Sequence, residues 1–231
     1  MRKIAFGFST FLIAYTIYTV LILFLFQWIN PPITAFIQQK SDQSFDSILK
    51  TDKYEQVWMP INKISDEIKI AIITSEDQRF IDHWGFDVKQ IQQVIEDFEK
   101  GKKLRGASTI TQQVAKNLFL SADRTWWRKA LESYYTLLIE LVWSKKRILE
   151  VYLNIAEFGE NIYGVEAASG VYFNKSSNYL NVREGAMLAS ILPNPIRYNL
   201  KRKSIYLKKR INRIVQESKY IDKKKIIEEL K

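Results

Sequence analysis

The 231-residue chain has no cysteine, one histidine, eight glycines and five prolines. Without cysteine there is no disulfide framework, no thiol nucleophile and no thiolate-ligated zinc or iron–sulfur centre. A lone His83 excludes a multi-histidine metal site, and a Ser-His-Asp mechanism would have to rest on that single imidazole. So little glycine and proline excludes a collagen-like or linker-dominated chain. Acidic residues are the scarcer charge, 25 against 35 Lys and Arg, which leaves a net charge of +10. What is abundant is apolar: 47% of the residues are hydrophobic, enough for a packed core, and the length suits one domain with an appendage.

Charge is missing altogether from Ile4 to Gln39. The apolar part, Ile4 to Ile29, would make a helix of about 39 Å, longer than the ~30 Å hydrocarbon core of a bilayer. Trp28 suits a membrane interface, and Pro31-Pro32 end the helix. A cleaved signal would be shorter and would carry a small-residue cleavage site. The reading is an uncleaved anchor, residues 1–32. Arg2 and Lys3 precede it, so the N-terminus is expected in the cytoplasm and the rest outside, on a single-pass protein of the inner membrane.

Residues 33–59 read as a polar connector, 60–200 as the main domain and 201–231 as a basic segment. Ser65 with Asp66 and Glu67 predicts a helix running to about Ile81. Asp87 and Gln90 open another, stopped at Gly101. Residues 109–118 and 125–143 read as helices, Ser144 caps one through Tyr152, and Asn181 to Glu184 form a capping box for one ending at Pro193. No alternating strand and no internal repeat is evident, so the fold class is mainly α. The last 31 residues hold 12 basic and four acidic side chains, with Leu207, Ile211, Ile214 and Val215 at helical spacing. Such a basic amphipathic helix either packs on the domain or meets anionic headgroups. Nucleic acid is not expected as a partner outside the cytoplasm.

Three clusters have the residue types of a reaction site. Glu76 and Asp77 end a helix beside Phe80, His83 and Trp84, where an apolar wall would tune a carboxyl group as a general base. Acidic pairs of this kind are also ordinary solvated faces. Gly106 to Asn117 combines Ser108, Thr109, Gln112, Gln113 and Lys116; Ser108 can cap the helix, whose first N–H groups would favour an anion. The plain alternative is a capped helix with a polar stripe. Arg124 to Glu132 places Arg128 and Glu132 on one face, as a surface ion pair or as a site for pyrophosphate or its metal.

In order, these clusters resemble motifs of the peptidoglycan glycosyltransferases, glycosyltransferase family 51, in their monofunctional membrane-anchored form. Glu76 to Gly85 matches Glu-Asp-x-x-Phe-x-x-His-x-Gly. Gly106 to Gln113 matches Gly-x-Ser-Thr-Ile-Thr-Gln-Gln. Arg128 to Glu132 matches Arg-Lys-x-x-Glu, and Lys145 to Asn154 matches Lys-x-x-Ile-Leu-Glu-x-Tyr-Leu-Asn. Phe158 to Ala168 and Leu192 to Pro195 resemble a fifth region.

The resemblance implies a lysozyme-like glycosyltransferase domain, a large lobe with a small membrane-proximal jaw between Gly85 and Trp126. Leu118, Phe119, Leu120, Trp126 and Trp127 would form the jaw's apolar surface. It also implies polymerisation of lipid II onto a growing glycan strand. Glu76 and Glu132 would be catalytic; Ser108, Thr109, Gln112, Gln113, Lys116, Arg124, Arg128 and Lys129 would bind substrate. Glu132 could hold a divalent metal, Mg2+ or Mn2+, and no organic cofactor is expected. Asn154 would brace the fold. These residues hold no transpeptidase motif, so transpeptidases and division proteins are expected partners. A lytic enzyme of the same broad fold and an inactive wall-assembly scaffold are the competing readings. The cations argue against lysis, and the intact Glu76 and Glu132 argue against an inactive scaffold.

Overall fold

The computed structural model describes residues 2–32, 34–40, 55–102, 106–121, 125–202 and 204–231. Helix α1, Arg2–Trp28, contains the apolar stretch Ser9–Trp28, 20 residues long with mean hydropathy 2.1. It is long and apolar enough to cross a membrane, and most of its side chains face outward, as an anchor requires and a core helix does not. After α2, Ala35–Lys40, and a two-residue strand β1, Glu55–Gln56, comes a domain built from helices.

Helix α3, Asp66–Glu76, starts where Ser65 accepts the Ile68 N–H, with Asp66 and Glu67 in its first turn. It stops at Glu76, short of Ile81. Asp77 leaves the helical conformation so that its buried carboxylate turns inward, and Phe80–Asp82 forms only a 3₁₀ turn. Asp87 caps α4, Val88–Glu99, and Gly101 ends it with φ +75°. Then follow α5, Ile110–Phe119; α6, Trp126–Val142; and α7, Lys145–Ile155. The C-terminal half adds α8, Val165–Phe173; α9, Val182–Ile191; α10, Ile205–Glu217; and α11, Lys223–Glu229. The Asn181–Glu184 capping box is made in both directions.

Two more strands, β2 (Glu157–Gly159) and β3 (Ile162–Tyr163), form a small sheet in the order β1-β3-β2. β1 runs parallel to β3, pairing Glu55 with Ile162, and β2 is antiparallel to it. The expectation of no strands is corrected here. Two or three residues are too short for alternation to show in a sequence. Asn154 fastens the incoming chain to α7: its side chain accepts the Met59 N–H at 2.7 Å and donates to the Met59 carbonyl at 2.9 Å.

The core is aliphatic. Ile68, Ile72 and Ile73 of α3, Ile110 and Val114 of α5, Ile148, Leu149, Val151, Leu153 and Ile155 of α7 and Leu188, Ala189 and Ile191 of α9 are buried together. α5 packs between α6 and α7, and α9 packs on α3. The basic helix α10 packs through Leu207, Ile211 and Ile214 onto α9 and α3. Of the two readings of the basic segment, this helix takes the packed one on its apolar face.

The anchor is docked as well as attached. The Tyr134 hydroxyl donates to Thr16 Oγ1 at 3.1 Å, and the Trp143 indole donates to the Leu23 carbonyl at 2.7 Å. The Arg147 guanidinium bonds the Phe26 and Ile29 carbonyls at 2.7 and 3.0 Å. Those carbonyls belong to a helix C-terminus without intrahelical partners, where a cation is favourable.

Candidate functional site

Glu76 is the last residue of α3, and its side chain is only 11% exposed. Each carboxylate oxygen has its own donors. Oε2 accepts from the Gln113 amide at 3.1 Å. Oε1 accepts from the Ser75 hydroxyl at 3.0 Å and from Arg210 Nη2 at 3.2 Å. Gln113 is held in turn: its carbonyl oxygen accepts from the Tyr152 hydroxyl at 3.1 Å. Burial, then the charges of Glu76 and Asp77, push the Tyr152 phenol well above its usual range, so it remains a donor.

Gln113 and Lys116 are three residues apart on α5, one above the other on one face. Burial lowers the Lys116 ammonium below its ordinary value of 10.5, against the pull of Glu132. Arg128, Lys129 and Glu157 also act on it electrostatically. Glu132 is buried on the second turn of α6. It accepts from Arg128 Nη1 at 2.6 Å and from the Lys129 ammonium. One face of α5 therefore presents Gln113, bonded to the Glu76 carboxylate, and Lys116, within the electrostatic reach of Arg128, Lys129 and Glu132.

Other predicted residues serve structure. Thr109, not Ser108, is the N-cap of α5. Its side chain accepts the Gln112 N–H, and the Gln112 side chain accepts the Thr109 N–H. Both are buried, and these two hydrogen bonds hold them in the cap of the helix. The expected anion site in that first turn is corrected too, because the Ile110 N–H is bonded to Asp77 Oδ2 at 3.0 Å. Ser108 is exposed. Arg124 lies outside the described residues.

Asp77 links three segments: it closes α3, holds Ile110 and bonds His83 Nε2 at 2.8 Å. His83 is thus a structural hydrogen-bonder. Thr109 Oγ1 donates to the Gly85 carbonyl at 2.7 Å. Gly85 itself has φ +75°, and a Cβ there would lie 2.5 Å from Thr136 Cγ2 on α6, so only glycine fits. Lys145 completes the brace by donating to the His83 carbonyl at 2.6 Å and to Glu140 Oε1 at 2.8 Å.

Neither acidic cluster fits a resident metal. Both oxygens of Glu132 already face cations. The donor atoms of Asp77, His83 and Asp87 lie within 4.8 Å of one another, but Arg79 pairs with both oxygens of Asp87.

The apolar surface expected for the jaw is only partly where it was placed. Leu118 and Leu120 are buried in the core, and Phe119 stacks on Tyr135 with centroids 4.6 Å apart. Trp126 and Trp127 are 91% and 83% exposed. The rest of the open apolar face comes from α4, through Val88, Ile91, Ile95 and Phe98, with Trp84 before it.

Arg210 and Tyr152 were not singled out in the sequence as site residues. A signal for Arg210 was present: it falls between Leu207 and Ile211 on the stripe that repeats at Ile214, a cation on the buried face of an amphipathic helix. Tyr152 gave no comparable signal, because nothing local distinguishes it from a core tyrosine.

A family model described as Transglycosylase matches residues 42–219. A biosynthetic peptidoglycan transglycosylase of Pasteurella multocida (strain Pm70) is 46% identical over 217 residues, 94% of this chain and 86% of that protein. Another, of Pseudomonas putida (strain F1), is 45% identical over 192 residues, 83% of this chain and 81% of its own. A third, of Stutzerimonas stutzeri (strain A1501), is 40% identical over 221 residues, covering 96% and 91%. The match takes in every motif from Glu76 to Pro195 and extends through α10, and the chain belongs to the transglycosylase family.

Proposed function

We propose that the chain polymerises lipid II, a polyprenyl-pyrophosphate-linked disaccharide-pentapeptide, into β-1,4-linked glycan strands for the cell wall. The observation that carries this reading is the line along α5, which joins the Glu76 carboxylate through Gln113 to Lys116 and the Arg128–Lys129–Glu132 cluster. A carboxylate with its lone pairs fixed suits a general base, and a partly buried cationic cluster suits a diphosphate leaving group.

In this reading Glu76 takes the proton of the acceptor sugar's 4-hydroxyl as that oxygen attacks C1 of the donor. The bond from C1 to the pyrophosphate oxygen breaks, its electrons leave with undecaprenyl pyrophosphate, and the α-linked donor becomes a β-linked product. Lys116 and Arg128 meet the developing negative charge, Lys129 adds to the field, and Glu132 keeps Arg128 and Lys129 aligned. Ser108 and Gln113 face the sugars. No step is assigned to Mg2+ or Mn2+.

The membrane setting belongs to the same proposal. α1 crosses the inner membrane with Arg2 and Lys3 in the cytoplasm. The domain lies outside, with the α4 face and Trp84, Trp126 and Trp127 in the interfacial layer where the lipid donor resides. Cross-linking of the strand falls to partner transpeptidases, in company with division proteins.

The test is glycan synthesis from purified lipid II. Glu76→Gln keeps the volume but removes the base and turns one accepting oxygen into a donating NH2, and a loss of about 10²–10⁴-fold in kcat is expected. Full activity of that variant would exclude Glu76 as the base. Shortening of mature glycan in place of chain growth would favour a lytic enzyme.

A further inference from the structure

We infer that Arg210 is a positioning residue for the Glu76 carboxylate, and that Tyr152 serves the same end through Gln113. This rests on the reading of Glu76 as the general base. A carboxylate at a helix end has rotational freedom about its side-chain bonds, and a base works only when a lone pair meets the proton it takes. Here that freedom is removed from both sides. Arg210 Nη2 bonds Ser75 Oγ at 2.7 Å and Glu76 Oε1 at 3.2 Å, bridging two consecutive residues at the end of α3. The second oxygen is fixed by the Gln113 amide. An amide can turn over, exchanging donor for acceptor, but the Tyr152 hydroxyl donates to the Gln113 oxygen and so selects the orientation that presents NH2 to Glu76.

The burial of these groups argues for a purpose beyond packing. Arg210 and Glu76 are each only 11% exposed, and a single apolar residue would fill the stripe position between Leu207 and Ile211 without desolvating a guanidinium. The charged and titratable groups around Glu76 are Arg210 from α10, Tyr152 from α7 and Asp77 beside it; α5 contributes the neutral Gln113. Among the described residues Arg210 is the cation that bonds Glu76, and it reaches across from a helix 134 residues away in sequence.

The experiment measures steady-state kinetics of the full-length protein with lipid II for Arg210→Ala, Arg210→Lys, Tyr152→Phe and Glu76→Gln, together with the stoichiometry of donor binding. Arg210→Ala is expected to lower kcat about 10²-fold, the scale of an ångström's misplacement, with the donor KM within threefold of the parent. Arg210→Lys is expected to recover part of this but stay at least fivefold below the parent, since a shorter, flexible side chain does not hold its nitrogen where the planar guanidinium places Nη2. Tyr152→Phe should lower kcat several-fold, again at unchanged KM.

Full donor binding in the slowed variants separates misaligned enzyme from unfolded enzyme. If Arg210→Ala does not fold, Arg210→Lys decides by the same criterion. Retention of more than a third of kcat, or a loss matched by lost donor sites, would overturn the inference. Should Glu76→Gln abolish turnover while the Arg210 variants remain fast, this inference fails and the base assignment stands. Should Glu76→Gln remain active, the base assignment fails first.

Discussion

Lys116 is the side chain whose environment makes the sharpest statement about pH. Burial holds its ammonium below the ordinary 10.5, so the charged form is present at low pH and is lost as pH rises through that lowered value. If the charge receives the donor's pyrophosphate, kcat/KM for lipid II should fall on the alkaline side below pH 10.5. Lys116→Arg, which stays protonated throughout, should move that fall upward, while Lys116→Ala should weaken donor use at every pH. An unchanged alkaline limb in the arginine variant would remove Lys116 from the phosphate path. At this scale the motifs of the sequence named Glu76, Gln113, Lys116, Arg128, Lys129 and Glu132; in the structure Gln113 bonds Glu76, and Glu132 pairs with Arg128 and Lys129 near Lys116. They also named Thr109 and Gln112, which form a capping box at a helix terminus. A hydroxyl and an amide near a glycine-rich turn look the same in sequence whether they face a ligand or cap a backbone, because both uses need a short polar side chain.

Among the elements, α4 carries its apolar residues outward. Its periodicity is that of a core helix, yet Val88, Ile91, Ile95 and Phe98 are exposed. A membrane interface is the partner we assign, with each side chain contributing on the order of 1.5–3 kcal/mol when fully buried. In proteoliposomes, Ile95→Asp and Phe98→Asp should each reduce polymerisation several-fold with no change in melting temperature, because neither residue belongs to the core. A large drop in melting temperature would show instead that the face packs within the protein. Element identity was legible in the sequence wherever a cap preceded an apolar period, as at Ser65, Asp87, Ser144 and Asn181. It was not legible at the ends: α3 stops five residues before Ile81 because the Asp77 side chain is recruited by His83 and by Ile110, the latter 33 residues away.

For the molecule as a whole, the charge of +10 is concentrated in residues 201–231, whose 12 basic and four acidic side chains carry +8 of it; the apolar stripe there is buried and Lys208, Lys209, Arg213 and Lys224 stay exposed. Binding of a fluorescent anionic lipid in neutral micelles should therefore weaken steadily as salt rises from 50 to 500 mM, as screening shortens from ~14 Å to ~4 Å. A neutral lipid should show no such trend, and salt-insensitive anionic binding would rule out an electrostatic role for this surface. The sequence by itself determined a helix long and apolar enough to cross a membrane, the helical class and the motifs that carry the candidate site. Long apolar runs, caps and spaced motifs are local, and each is written within a few residues of chain. Only the tertiary structure decided which of those groups meet. Glu76 is bridged by Arg210 from a helix far along the chain, Gln113 is turned by Tyr152, and the end of α1 is held by Arg147. Those contacts arise from packing between distant elements, which no spacing along a chain encodes.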